Sequence, residues 1–262
     1  MSLRLLRRAT FVVFILVLAL WAGLRFYSTR YVDSTPPVIT CDSDVVEVRV
    51  GAGESALLKG VTAHDDRDGD LTDEIMIKGV SQLITADTAK VTYIAFDSSN
   101  NMTTASRTVR YTNYEKPRFA LQEPLVFLTG RQVHLMDRLT ASDVIDGDLT
   151  DAIRVTTQNV DSSRTGVYSV TVQVTNSLGD VESLPLKVIM SESSGLSPRV
   201  TLSDYIVYLE AGSRFDPHSY IAAPAERYSV EVDSGVEINQ PGVYEVSYTY
   251  QNDTAYQVVV VR

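Results

Sequence analysis

The chain opens on a block of apolar positions with no periodicity: Ala9 to Leu24 (ATFVVFILVLALWAGL) carries no charge, with Arg4, Arg7 and Arg8 before it and Arg25 after it. A helix that is apolar all round belongs in a bilayer or a large core, and the strand patterns of the remaining chain provide no helical core to receive it. The run is a little shorter than the roughly 20 residues that span a bilayer. Arg25 can extend it by snorkelling, and Trp21, Phe26 and Tyr27 suit the interface. We therefore expect a basic cytoplasmic tail over residues 1–8, a membrane segment over 9–27 and a linker over 28–35. Three arginines precede the uncharged run Ala9 to Leu24 and two follow it (Arg25, Arg30), which places the bulk of the chain outside the cytoplasm in a single pass. Cleavage is the alternative. The best small-x-small site, Leu20-Trp21-Ala22, sets leucine and tryptophan before the alanine, which favours an uncleaved signal anchor.

Beyond the linker the period changes to two. Tyr168, Val170, Val172 and Val174 alternate with Ser169, Thr171 and Gln173, and Tyr244, Val246, Tyr248 and Tyr250 with Glu245, Ser247 and Thr249. Val46, Val48 and Val50 alternate with Glu47 and Arg49, and Val91, Tyr93 and Ala95 with Thr92, Ile94 and Phe96. Such alternation predicts half-buried strands with almost no helix among them. Pro185, which cannot donate to a ladder, predicts an edge strand over Leu184 to Met190. The run from Tyr256 to Val261 is a second candidate edge, open to pairing with another chain.

The pattern repeats. Ala63 to Ile75 (AHDDRDGDLTDEI) recurs as Ala141 to Ile153 (ASDVIDGDLTDAI), and the turns Asp97-Ser-Ser-Asn-Asn101 and Asn176-Ser-Leu-Gly-Asp180 align behind it. A third unit opens at Pro198 and shares Gly242-Val-Tyr-Glu-Val246 with Gly166-Val-Tyr-Ser-Val170, but it has lost the acidic motif. Units of this length, built of short strands and turns, predict an all-β fold of tandem immunoglobulin-like β-sandwich domains after one N-terminal transmembrane helix. Their expected bounds are 36–113, 114–190 and 198–262. Ser191 to Ser197 (SESSGLS) reads as a flexible joint, and Thr112 to Lys116 as a short, stiff one.

Charge narrows the function. The net charge is −10, and the five arginines of the first thirty residues leave 18 basic against 33 acidic residues in the rest, or −15. No basic cluster follows the N-terminus, so nucleic acid is not expected as a partner. Cys41 is the sole cysteine, which rules out an intrachain disulfide and a cysteine-based zinc site.

The acidic motif is the one constellation with candidate chemistry. Asp65, Asp68, Asp70 and Asp73 in one copy, and Asp143, Asp146, Asp148 and Asp151 in the other, gather hard oxygen donors of the kind calcium prefers. The spacing is not an EF-hand loop, since Ile77 stands where the closing glutamate would be. Asp-Gly turns whose aspartates accept hydrogen bonds from their own loop explain the same residues without a metal. A motif duplicated in tandem suits fold chemistry better than a single active site, and His64, His134 and His218 fall at different places in the three units, so no enzyme is expected. The third unit is rich in tyrosine. Tyr205, Tyr208, Tyr220 and Tyr228 are candidate contacts for a protein or glycan, or simply strand residues.

Thr35-Pro-Pro-Val-Ile39, Lys116-Pro117, the Asp-Gly-Asp-Leu-Thr core and Tyr93 to Asn101 together resemble the bacterial surface-protein Ig-like repeat, a relative of hyalin-repeat and cadherin-like modules. The resemblance covers residues 35–190 and is weaker over 197–262. It implies non-catalytic Ig-like modules in tandem on a bacterial surface, acting as spacers or in adhesion. The leading expectation is a membrane-anchored structural or adhesive protein; the second is an accessory subunit of an envelope assembly or secretion machine.

Overall fold

The computed structural model describes residues 3–31, 33–85, 87–192 and 198–262. A single long helix, Leu3–Tyr31, contains the apolar stretch. Its segment Arg7–Tyr27 has a mean hydropathy of 2.2, and the protein covers none of it. The helix runs past both ends of the expected 9–27 segment: residues 3–8 are Leu and Arg, good helix formers, and neither flank contains Gly or Pro. Among the described residues every later helical piece is a single turn, such as Glu54–Leu57, and the others form strand and loop.

The chain divides into two compact units, residues 1–112 and 113–262. In the first, Val38–Cys41, Val61–Asp65 and Gly69–Asp70 form one antiparallel sheet. A second sheet runs in the order Val45–Val48, Met102–Tyr111, Thr88–Phe96, Met76–Val80, and only its first pair is parallel. Alternation turns Val46, Val48, Val91, Tyr93, Ala95 and Val109 inward against Val61, Ala63, Leu71 and Ile75, which makes a two-sheet sandwich. With about 1.5–3 kcal/mol for each fully buried aliphatic side chain, this core is what offsets chain entropy in a unit without disulfides.

One polar group is set into that core. The Arg107 side chain is 2% exposed. It donates to Tyr93 Oη (2.8 Å), Asp42 Oδ1 (3.1 Å), the Leu57 carbonyl (3.1 Å) and the Lys59 carbonyl. The Tyr93 hydroxyl donates in turn to the Leu57 carbonyl at 2.6 Å. The strand carrying Arg107 is thereby tied to the Glu54–Leu57 turn.

The second unit repeats the topology twice. Arg118–Leu121, Leu139–Asp143 and Gly147–Asp148 face a sheet ordered Val126–Leu128, Val181–Ser191, Gly166–Thr175, Arg154–Gln158. In the last sandwich Thr201–Leu202 pairs with Ile221–Ala223, opposite a sheet ordered Ile206–Leu209, Asp253–Val261, Gly242–Tyr250, Glu231–Ser234. In each sandwich the first strand of the larger sheet lies parallel to the last. The diverged third copy therefore keeps the fold and lacks only the Gly-Asp strand that the acidic motif supplies.

Three expectations change. The Tyr256 to Val261 run is an interior strand, because Asp253–Val261 pairs on both sides and Val258 to Val261 are buried. Pro185 also lies in a strand with two neighbours, but the parallel partner meets only Ile189 to Ser191, so the ladder beside Pro185 runs on one side alone. The 191–197 segment does not separate independent bodies. Residues 193–197 lie outside the described residues, yet the sandwiches on either side share one apolar core within the same compact unit. Their contact is specific: the Phe119 N–H donates to Tyr208 Oη (2.8 Å), and Arg262 donates to the Pro117 carbonyl (3.0 Å) and pairs with Glu182 (2.9 Å).

Candidate functional site

The duplicated motif is built mainly from its own backbone. Asp65 Oδ1 accepts the N–H groups of Arg67 (2.8 Å) and Asp68 (2.9 Å), as Asp143 Oδ1 accepts those of Ile145 (3.0 Å) and Asp146 (2.7 Å). Gly69 and Gly147 follow at φ +77° and +73°, a region open to glycine at little cost. Asp70 and Asp148 then accept the amides of Thr72 and Thr150 at 2.9 Å, starting the short 3-10 turns Thr72–Glu74 and Thr150–Ala152. The threonine hydroxyls accept the N–H groups of Ala63 (3.2 Å) and Ala141 (3.3 Å), while Leu71, Ile75, Leu149 and Ile153 plug the core. Asp73 and Asp151 are exposed on those turns.

These bonds also set the charge state. The amides of Asp68 and then Arg67 hold the Asp65 carboxyl below its ordinary pKa, and the Thr72 and Thr150 hydroxyls and amides do the same for Asp70 and Asp148. All three are carboxylates at neutral pH.

The copies part company at the turn that closes over the motif. In both, the motif reaches across to it: Asp68 Oδ2 accepts the Ser98 N–H and Asp146 Oδ2 the Ser177 N–H, each at 2.7 Å. Asn176 then donates through Nδ2 to Asp143 Oδ2 (2.9 Å) and to Tyr114 Oη (3.1 Å), and the Tyr114 hydroxyl donates to Asp180. Burial and the Asp180 carboxylate push the Tyr114 phenol up, so it remains a donor. In the first copy the Asn176 position is Asp97. Its carboxylate accepts Ser99 N–H (2.9 Å), Asn101 N–H (2.7 Å) and Asn101 Nδ2 (2.7 Å) and offers nothing to Asp65. Asp65 is 2% exposed, and its Oδ2 has no hydrogen-bond partner among the described residues.

Carboxylate oxygens of Asp65, Asp68 and Asp97 lie within 4.8 Å of one another, as do those of Asp33, Asp65 and Asp66. Arg67 faces the second set, its Nε 3.9 Å from Asp33 Oδ2. Of the eight aspartates singled out in the sequence, the structure thus gathers Asp65 and Asp68, and adds Asp33, Asp66 and Asp97. The signal for Asp97 was present in the aligned turns, as the Asp97/Asn176 difference.

The tyrosine candidates scatter. Tyr205 is 3% exposed, and its Oη accepts the Leu202 N–H at 3.2 Å, so it is a core residue. Tyr208 is spent between the second and third sandwiches, its ring flanked by the Arg118 and Arg262 guanidinium groups. Tyr220 is half-buried against Phe215. Tyr228 alone of the four is a surface group, 87% exposed with its ring 5.1 Å from that of His218.

Residues 44–110 match the family described as bacterial surface protein, Ig-like domain, so the first sandwich is a bacterial surface Ig-like repeat. The pesticidal crystal protein Cry22Aa of Bacillus thuringiensis is 37% identical over 120 residues, covering 42% of this chain and 16% of its own length. This chain therefore spans only a small part of that relative. Among solved structures, the CBM51-2 and INT domains of Clostridium perfringens ZmpB with GlcNAc show 18% identity, coverage of 56% of this chain and 26% of that one, and a TM-score of 0.24. The lipoprotein BT2262 of Bacteroides thetaiotaomicron shows 11% identity, coverage of 85% and 98%, and a TM-score of 0.22. Superpositions this loose carry no argument about activity.

Proposed function

We propose that this is a membrane-tethered, non-catalytic protein that holds Ig-like modules outside the cytoplasm in a structural or adhesive role. The carrying observation is the helix Arg7–Tyr27, whose apolar side chains the protein leaves uncovered while the sandwiches bury theirs in two apolar cores, one in each compact unit. So large an apolar surface is stable in a bilayer and is a liability in water. The arginines before it favour a cytoplasmic N-terminus. The surface family of residues 44–110 agrees with an outside location for the sandwiches. A non-catalytic reading is supported by the way the motif carboxylates are engaged, since backbone amides that set a loop hold them as anions rather than poise one as an acid. For a protein or glycan partner, the third sandwich offers the exposed Tyr228 beside His218.

The test is labelling of intact cells with a membrane-impermeant maleimide, using Tyr228→Cys in a Cys41→Ser background. Full labelling before lysis supports the reading. Labelling only after lysis would place the sandwiches inside and overturn it.

A further inference from the structure

We propose that the first sandwich holds a single calcium ion at Asp65, Asp68 and Asp97, with Asp33 and Asp66 beside it, and that the second sandwich holds none despite carrying the same motif. This goes beyond the tethering role and does not depend on it.

Two independent observations meet here. The first is the set of oxygens: Asp65, Asp68 and Asp97 each bring one within 4.8 Å of the others, and Asp33 and Asp66 do so around the shared Asp65. The second is Asp65 itself. The side chain is 2% exposed, one oxygen is fully used by two amides, and the other is buried without a partner among the described residues. A buried, unpaired carboxylate oxygen is costly, and carboxylate oxygens of neighbouring aspartates lie within 4.8 Å of the Asp65 carboxylate, which adds like-charge repulsion. A cation among them satisfies the orphan and removes the mutual repulsion together. Ser98 and Asn101 already orient Asp68 and Asp97 by hydrogen bonds at 2.7–2.9 Å, so the site is preset rather than assembled from free side chains. Arg67, with its side chain 43% exposed, approaches Asp33 at the edge of the cluster, its Nε 3.9 Å from Asp33 Oδ2.

The donors are all oxygen, which selects a hard cation over zinc. They come from three separate loops in an irregular array, which suits the flexible coordination of calcium better than the strict octahedron of magnesium.

The second copy is the internal control. At the position of Asp97 it has Asn176, whose Nδ2 donates to Asp143 Oδ2, the atom that corresponds to the orphan of the first copy. There an amide hydrogen does what the cation does in the first sandwich. No trio of carboxylates meets around Asp143 among the described residues.

The experiment is calorimetric titration of calcium chloride into the full chain in detergent micelles, after stripping with chelator, with magnesium chloride titrated in parallel and melting followed by circular dichroism. We expect one calcium per chain, a higher melting temperature with calcium and weaker binding of magnesium. Asp97→Asn should weaken calcium binding about tenfold or more and, in chelator, melt no lower than the unsubstituted chain, because the new amide can serve Asp65. Asp146→Asn should leave binding unchanged. If Asp97→Asn does not fold, Asp68→Asn takes its place in the titration. Absence of heat and of a melting shift, two ions per chain, preference for magnesium, or undiminished binding in the Asp97 or Asp68 variant would each overturn the proposal.

Discussion

Replacing Arg107 by methionine keeps most of the apolar stem and deletes the guanidinium, and the structure sets what is lost. Leu57 O still receives the Tyr93 hydroxyl at 2.6 Å, and Asp42 still receives the Ser43 hydroxyl at 3.0 Å, so neither is abandoned. The Asp42 side chain is 64% exposed, so its ion pair with Arg107 contributes little. The Lys59 carbonyl and the acceptor side of Tyr93 Oη lose their Arg107 donor. At about 1–3 kcal/mol for a buried acceptor left unpaired, with some relief from water, the cost should be about 3 kcal/mol. That is a large fraction of the roughly 5–15 kcal/mol that holds a domain folded. Hydrogen exchange followed by mass spectrometry reads it locally: peptides from Thr88–Phe96 and Met102–Tyr111 should exchange about 150-fold faster, as 1.4 kcal/mol is tenfold. Peptides from Gly166–Thr175, in the other compact unit, should be unaffected. Asp42→Asn, as a control, should change exchange less than about threefold. An Arg107→Met effect below about 1 kcal/mol would refute the view that this network fastens the first sandwich.

Other perturbations follow from the same geometry. Gly60→Ala puts a Cβ at φ +73° and 2.0 Å from the Asp42 carboxylate, and should destabilise the first unit by about 1–3 kcal/mol in urea unfolding. Tyr208→Phe orphans the Phe119 N–H and should cost about 1–2 kcal/mol, seen as faster exchange at Arg118–Leu121. Acid should weaken the fold through Asp65, Asp70, Asp148 and Asp161, whose folded pKa values are lowered. Their contribution is complete above the unfolded pKa near 4 and lost as pH falls below it, so melting temperatures should drop from about pH 4 downward. Alkali acts with the opposite sign on Tyr208, which burial pushes up to about 12: its contribution is complete below pH ~10 and lost as pH rises through 12.

Much of this architecture could be read from alternation and repetition, because both report directly which side chains face a core. Tyr168, Val170, Val172 and Val174 point inward as their period requires, and the Asp-Gly-Asp-Leu-Thr core recurs because each residue has a fixed task in one hairpin and one 3-10 turn. What escaped depends on partners distant in sequence. The softness of Ser191 to Ser197 says nothing about whether the flanking sandwiches pack, which is settled by Tyr208 on Phe119, 89 residues away, and by Arg262 on Pro117, 145 away. The last strand looked open because its edge-like run of valines is closed by a parallel partner, Ile206–Leu209, that alternation alone could not pair with it. The acidic residues were grouped by adjacency, whereas folding assigns Asp70 to the 3-10 turn, leaves Asp73 exposed on it, and brings Asp33 and Asp97 to Asp65. The tyrosines of the third unit divide by depth, which composition does not record.

The claim on which the functional reading rests is that the apolar helix stays attached and holds the sandwiches at a membrane. Alkaline extraction of cell membranes, followed by intact-mass measurement of the recovered chain, tests it in one step. Recovery in the membrane pellet at a mass that includes Arg7 to Tyr27 is the expected result. Recovery in the supernatant, as a chain beginning beyond Ala22, would contradict it.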